Sequence, residues 1–200
     1  MLLSPRALIL DFGEVLTRAQ PRGSVERMAA LAGTPVDDFI ARYWRHRRDY
    51  DGGLDVNLYW QRVLEGLAGA DDTVARLIEE DAVSWGDFRE EVWDIAAGFR
   101  ARGGRTAMLS NGVREIMSRI RAARPLDTWF DAVIVSSEVG CSKPDPAIYQ
   151  ICIDRLGVPP AESLFVDDRI ENIEAAAAVG LRTLLFTGDA TVSELRQLIE

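Results

Sequence analysis

The feature that most constrains this chain is an alternation. Five short apolar runs, too apolar to leave one face in water, are separated by segments of helical period. The runs are RALILD at 6–11, RTAMLS at 105–110, AVIVSS at 132–137, SLFVDD at 163–168 and RTLLF at 182–186. Among the later runs fall the helical patterns FREEVWDIAAGFRARG, VREIMSRIRAA, PAIYQICIDRLG, IENIEAAAAVG and VSELRQLIE. Several of these close on a glycine, the residue that best takes the left-handed C-cap. Strands buried on both faces and joined through helices specify an α/β protein with a doubly wound parallel sheet.

Residues 17–86 break the alternation: helical period continues, tryptophans and tyrosines accumulate, and no strand pattern recurs. VERMAALAG, VDDFIARYWRHRRDYDGG, LYWQRVLEGLAG and DTVARLIEEDAV predict about four short helices. The expected organisation is a core domain from 1–16 and 87–200 with a small helical domain, 17–86, inserted after the first strand. A formal net charge of −9 over 200 residues argues against a nucleic-acid partner, because such affinity comes largely from Lys and Arg neutralising phosphates. The basic run RYWRHRR, 42–48, is expected to coat a helix face, and the lone histidine, His46, to lie at the surface. No apolar stretch is long enough for a membrane span, and MLLSPRALILDF lacks a signal-peptide cleavage pattern, so a cytoplasmic location is expected. Cys141 and Cys152 suggest neither a metal site nor a disulfide framework.

Open parallel sheets bind ligands beyond the carboxyl ends of their strands. Here those ends carry Asp11, then Ser110 with Asn111, then Ser136 and Ser137, then Asp167 with Asp168, and the turn-rich GCSKPDP offers Lys143 to the same rim. Each aspartate or serine alone is explained as a helix cap; together with Lys143 they mark a site. Clustered carboxylates repel one another without a cation, and a hard, oxygen-ligated ion such as Mg²⁺ fits them. Phosphoryl transfer is the chemistry that calls for such charge.

These residues fall in four segments, LDFGEVL, LSNG, SKPDP and LFVDDRIEN, and on them the chain resembles the haloacid dehalogenase superfamily, in its helical-cap branch with a D-x-G first motif. The resemblance covers nearly the whole chain and implies a Rossmann-like core with 17–86 as the cap. It implies a magnesium-dependent phosphohydrolase acting on a small phosphorylated metabolite, a sugar phosphate among the candidates, as monomer or homodimer. Asp11 would be the nucleophile and a metal ligand. Ser110 and the backbone amide of Asn111 would hold the phosphoryl group, and Lys143 would bind both that group and Asp11. Asp168 would ligate the metal directly, Asp167 would ligate it or orient its water, Gly13 would offer its carbonyl, and Asn172 would support them.

One departure matters. Most phosphatases of this superfamily carry an aspartate two positions after the nucleophile as general acid and base, worth about 10²- to 10⁴-fold; here that position is Gly13. Glu14 is the nearest acid, but three positions on it is expected to point away from the site, capping a turn or pairing with a cap arginine. A good leaving group would lessen the need for an acid. Two other readings stand beside the phosphohydrolase: a metal-independent 2-haloacid dehalogenase, disfavoured by the VDD segment, and a catalytically weak binding or regulatory protein. Substrate choice is expected to lie in the insert, with Arg18 and Arg22 as candidate anion binders. Tyr43, Trp44, Tyr50, Tyr59 and Trp60 are read chiefly as the insert's own core.

Overall fold

The computed structural model describes residues 4–65 and 71–199. Five parallel strands form one sheet in the order β3-β2-β1-β4-β5: β1 Ala7–Leu10, β2 Arg105–Ser110, β3 Ala132–Val135, β4 Ser163–Asp167 and β5 Arg182–Leu185. All five lie within the apolar runs. Strand β1 is central and fully buried, and its side chains alternate as the pleat requires. Leu8 and Leu10 enter one core, while Ala7 and Ile9 enter the other.

The helices are α1 Arg22–Ala32, α2 Val36–Asp51, α3 Val56–Leu64, α4 Asp71–Ser84, α5 Glu90–Ala101, α6 Arg114–Ala123, α7 Leu126–Trp129, α8 Ser136–Val139, α9 Pro146–Leu156, α10 Ile170–Ala178 and α11 Asp189–Ile199. Helices α5, α6 and α11 bury Trp93, Ile116 and Leu195 on the Leu8 and Leu10 face. Helices α9 and α10 bury Ile148, Tyr149 and Ile173 on the other. Each large apolar side chain so covered contributes about 1.5–3 kcal/mol.

Several boundaries differ from expectation. Ser136 and Ser137 do not extend β3 but open the short helix α8. Helix α3 stops at Leu64, with Glu65 in a left-handed cap at φ 47°; positions 66–69 of the expected helix lie outside the described residues. Helix α11 begins at Asp189, three residues earlier than its apolar period suggested.

The chain leaves the sheet at Leu16 and returns at Arg89 along two paired segments. Thr17 and Phe88 form an antiparallel bridge, Arg18 N–H donates to Asp87 C=O (2.8 Å), and Arg89 N–H donates to Leu16 C=O (3.0 Å). Beyond this stalk, α1 to α4 pack on one another around Tyr43, Tyr50, Tyr59 and Trp60, all at most 3% exposed. The basic run does not lie wholly on the surface: Arg47 is 6% exposed. It is one turn beyond Tyr43, so both side chains face inward. Its guanidinium pairs with Asp51 (2.8 Å) and Asp81 (3.4 Å), touches the Tyr43 hydroxyl and faces the rings of Tyr43, Tyr50 and Trp85. A guanidinium so paired meets the cost of burial that a lone charge would not. Tyr50 Oη to Glu115 (3.1 Å) and the Ser136 hydroxyl to Asp51 C=O join this helical segment to α6 and α8 beside the sheet. No helix among the described residues is long and apolar enough to cross a membrane.

Candidate active site

The strand order reverses beside β1: the chain runs β1, β2, β3 to one side and resumes with β4 on the other. The crevice at such a switch point lies beyond the carboxyl ends of β1 and β4, where Asp11 and the pair Asp167–Asp168 stand. Asp11 N–H still donates to Val166 C=O (2.9 Å), continuing the ladder one step past β1. Its carboxylate then accepts from Phe12 N–H (2.7 Å), which turns the chain out of the sheet. The following wide turn, 12–16, is closed by Thr17 N–H donating to Phe12 C=O (3.0 Å).

Lys143 is the hub of the site. At 3% exposed, its Nζ lies 2.7 Å from Asp11 Oδ1 and 2.6 Å from Asp167 Oδ2, and it donates to Leu109 C=O (2.9 Å). Burial alone would lower its ammonium, but Asp11 and Asp167 hold it above the ordinary lysine value. The Asn111 side chain fixes the lysine's backbone: Nδ2 donates to Lys143 C=O (2.8 Å) and Oδ1 accepts from Lys143 N–H (2.8 Å). Nothing in the sequence marks this clamp beyond an amide-bearing residue directly after β2.

Burial pushes Asp11 up to about 8 against the pull of Lys143, with Asp167 and Asp168 adding to the rise. Asp168 is pushed to about 6, by burial first and then by Asp167 and Glu14. Asp167 is fully buried, and its oxygens are taken up by Lys143 Nζ, Arg169 N–H (2.8 Å) and Asn172 Nδ2 (2.9 Å). Asp11, Asp167 and Asp168 each offer an oxygen within 4.8 Å of the others. This set of three carboxylates is a hard-donor cluster that fits a divalent cation such as Mg²⁺.

A cavity of about 120 Å³ opens onto this cluster, lined from the sheet side by Asp11, Gly13, Asn111, Lys143, Asp168 and Asn172, and from the helical segment by Trp44, Arg47, Asp51 and Trp85. Ser110 is buried at the end of β2, beside Asn111. Gly13 has an ordinary backbone (φ −64°, ψ 132°), but a Cβ there would meet Trp85 Cζ3 at 3.4 Å. Glu14 corrects the expectation that it points away. Its left-handed φ of 58°, rare for a residue with a side chain, turns it to line the cavity near Asp168. The structure does not bring Arg18 to the cavity: it pairs with Glu91 (3.3 Å), Asp189 (3.9 Å) and Asp87 (4.0 Å) beside the stalk. Arg22 is likewise elsewhere, paired with Glu26 on the surface. Of the aromatic group, Trp44 is the member that lines the cavity, and it is 49% exposed. Arg47 and Asp51, which the sequence did not single out for the site, belong to its wall.

Comparison with known proteins gives a consistent family. The phosphatase MT3486 of Mycobacterium tuberculosis is 26% identical over 211 residues, covering 98% of this chain and 96% of that protein. Mouse acyl-CoA dehydrogenase family member 10 is 39% identical over 102 residues, so half of this chain matches 9% of that much longer one. The (S)-2-haloacid dehalogenase 1 of Pseudomonas sp. is 39% identical over 85 residues, 42% of this chain and 37% of that one. Among solved structures, a HAD family enzyme from Bacteroides thetaiotaomicron, in complex with magnesium and inorganic phosphate, superposes with a TM-score of 0.75 at 18% identity, covering 92% of this chain and 96% of that one. The family model described as haloacid dehalogenase-like hydrolase matches residues 5–180, and the chain belongs to that family.

Proposed function

We propose that this protein is a magnesium-dependent phosphohydrolase of small phosphorylated metabolites, working through an aspartyl-phosphate on Asp11, with residues 17–86 as its cap. The observation that carries this reading is the set of three carboxylates, Asp11, Asp167 and Asp168, gathered within 4.8 Å around the buried Lys143. Such a set is costly to bury unless a cation joins the lysine. Asp11, Asp168 and the Gly13 carbonyl would hold Mg²⁺, with Asp167 orienting the lysine and the metal's surroundings; when bound, the ion offsets negative charge shared by nucleophile and phosphate. Lys143 supplies a fixed ammonium for the phosphoryl oxygens, and Ser110 with the Asn111 amide completes their binding. The carboxylate of Asp11 attacks phosphorus, the ester oxygen leaves, and water then releases phosphate and restores Asp11. The full-length similarity to a protein named phosphatase supports the same reading.

A 2-haloacid dehalogenase is the second reading, favoured by relatives with that name. Against it stands the third carboxylate, which attack on carbon does not require. Purified protein assayed with Mg²⁺ on a panel of phosphate monoesters, sugar phosphates among them, and separately on 2-chloropropionate distinguishes the readings. Phosphate release that is lost on chelation and in Asp11→Asn is expected. Halide release in the presence of chelator refutes the proposal, and Mg²⁺ or phosphate binding without turnover of either class points to a binding protein.

A further inference from the structure

Resting on the phosphohydrolase reading, we propose that Asp51 is the general acid and base of this protein, delivered from the end of α2 in place of the side chain that Gly13 lacks. The space beside Gly13 is walled by the Trp85 ring, 3.4 Å from where a Cβ would stand. Outside the cluster of Asp11, Asp167 and Asp168, the carboxylates lining the cavity among the described residues are Glu14 and Asp51. In-line displacement chooses between them. Asp11 attacks from the sheet end, so the leaving oxygen faces away from β1 and toward the helical segment. Asp51 is on that wall, whereas Glu14 is an exposed residue of the turn after β1, near enough to Asp168 to raise its carboxyl, that also lines a second cavity with Phe39, Tyr43 and Trp44.

Asp51 is also held in place. Oδ1 accepts from Arg47 Nε (2.8 Å), and its backbone carbonyl accepts from the hydroxyl of Ser136, which in turn accepts from Gly112 N–H (3.0 Å) at the head of the β2 loop. Oδ2 accepts no hydrogen bond among the described residues, and the side chain is 16% exposed, so one oxygen is available to a bound molecule. Burial raises its carboxyl above the ordinary range against the pull of Arg47, a cation that Asp51 shares with Asp81. Protonated Asp51 gives its proton to the ester oxygen as the phosphorus–oxygen bond breaks and Asp11 takes the phosphoryl group. The resulting carboxylate accepts a proton from water as that water's oxygen bonds to phosphorus and the bond to Asp11 breaks, leaving Asp51 protonated and Asp11 ionised.

The test compares p-nitrophenyl phosphate, whose leaving group needs no proton, with an alkyl phosphate such as glycerol 2-phosphate, both with Mg²⁺. In Asp51→Asn, kcat/KM is expected to fall about 10²- to 10⁴-fold for the alkyl ester and far less for the aryl ester, and phosphorylated Asp11 is expected to accumulate. Asp51→Glu is expected to recover much of the loss. Equal losses on both esters, or a selective loss in Glu14→Gln instead, overturns the assignment. The wild type provides a check independent of how the variant folds: its kcat/KM is expected to vary shallowly with leaving-group pKa, and a steep dependence overturns the assignment. A wild type that neither hydrolyses any phosphate ester nor becomes phosphorylated refutes the phosphohydrolase reading itself, and Asp51 with it.

Discussion

Replacing Lys143 with methionine keeps the length of the side chain and removes the ammonium that stands 2.7 Å from Asp11 and 2.6 Å from Asp167. At an effective dielectric constant near 20, each contact represents about 6 kcal/mol of Coulomb attraction, much of it offset by the desolvation of three charges. Breaking a buried pair by deleting one partner costs about 3–5 kcal/mol, because the other charge stays behind. Asp167 bears most of that cost: it is fully buried, whereas Asp11 is already raised toward a neutral form. For a chain of this size, about 2–4 °C per kcal/mol gives a Tm lowered by roughly 6–20 °C in metal-free buffer. Mg²⁺ is expected to raise the Tm of the variant more than that of the wild type, since a cation among the three carboxylates supplies charge that the lysine no longer does. Turnover of phosphate esters is expected to stay at least about 10²-fold down even in saturating Mg²⁺, as after loss of a fixed transition-state donor. Circular dichroism melts with and without Mg²⁺, alongside phosphate release, measure both. A metal-free Tm within about 2 °C of wild type would refute the reasoning, because it would mean that Asp167 is not stabilised by the lysine.

Magnesium affinity should depend on pH in a defined window. In the metal-free protein Asp168 and Asp11 hold protons up to about 6 and about 8, so binding displaces them. Titration calorimetry is expected to show affinity rising up to about tenfold per pH unit between the two values and levelling above the higher; a flat profile from pH 6 to 8 would contradict it. Because the folded-state value of Asp11 lies above its unfolded value of 3.8, its contribution to metal-free stability is full below that value and is lost as pH rises through about 8. Gly13→Asp is expected to fold, since φ −64° and ψ 132° suit any residue, and, placed in the Asp51→Asn background, to restore part of the lost hydrolysis of alkyl phosphates once the Trp85 ring yields. If melts show an intact fold and these esters gain nothing in that background, with or without Trp85→Ala, the loss in Asp51→Asn is not a loss of leaving-group protonation.

The sheet was legible because burial on both faces leaves an apolar run that local context cannot disguise, as at Ala7–Leu10. The rim followed from the same rule: Asp11, Asn111, Lys143 and Asp168 lie at strand ends or in the turn after β3, and they meet in the cavity. What escaped was set by tertiary structure. Arg47 reads as one more charge in a basic run, and only the convergence of Asp51, Asp81 and three aromatic rings makes its burial tolerable. Glu14 was misjudged because spacing assumes an ordinary backbone, and its left-handed φ redirects the side chain. Arg18 reads as a candidate for a substrate anion, but Glu91, Asp87 and Asp189 already pair with it. The contribution of Asp51 to the cavity wall depends on how α2 lies over the sheet, which no local pattern encodes.

The chain contains 22 arginines and a single lysine, and that lysine is Lys143. Its 3% exposure therefore makes the only side-chain primary amine of the protein coincide with the centre of the candidate site. Amine-acylating reagents that decorate an ordinary protein at many surface lysines would here find no lysine other than Lys143. The rate at which the peptide carrying Lys143 becomes acylated, read by mass spectrometry, reports how often that buried amine meets the reagent, with no second lysine to compete.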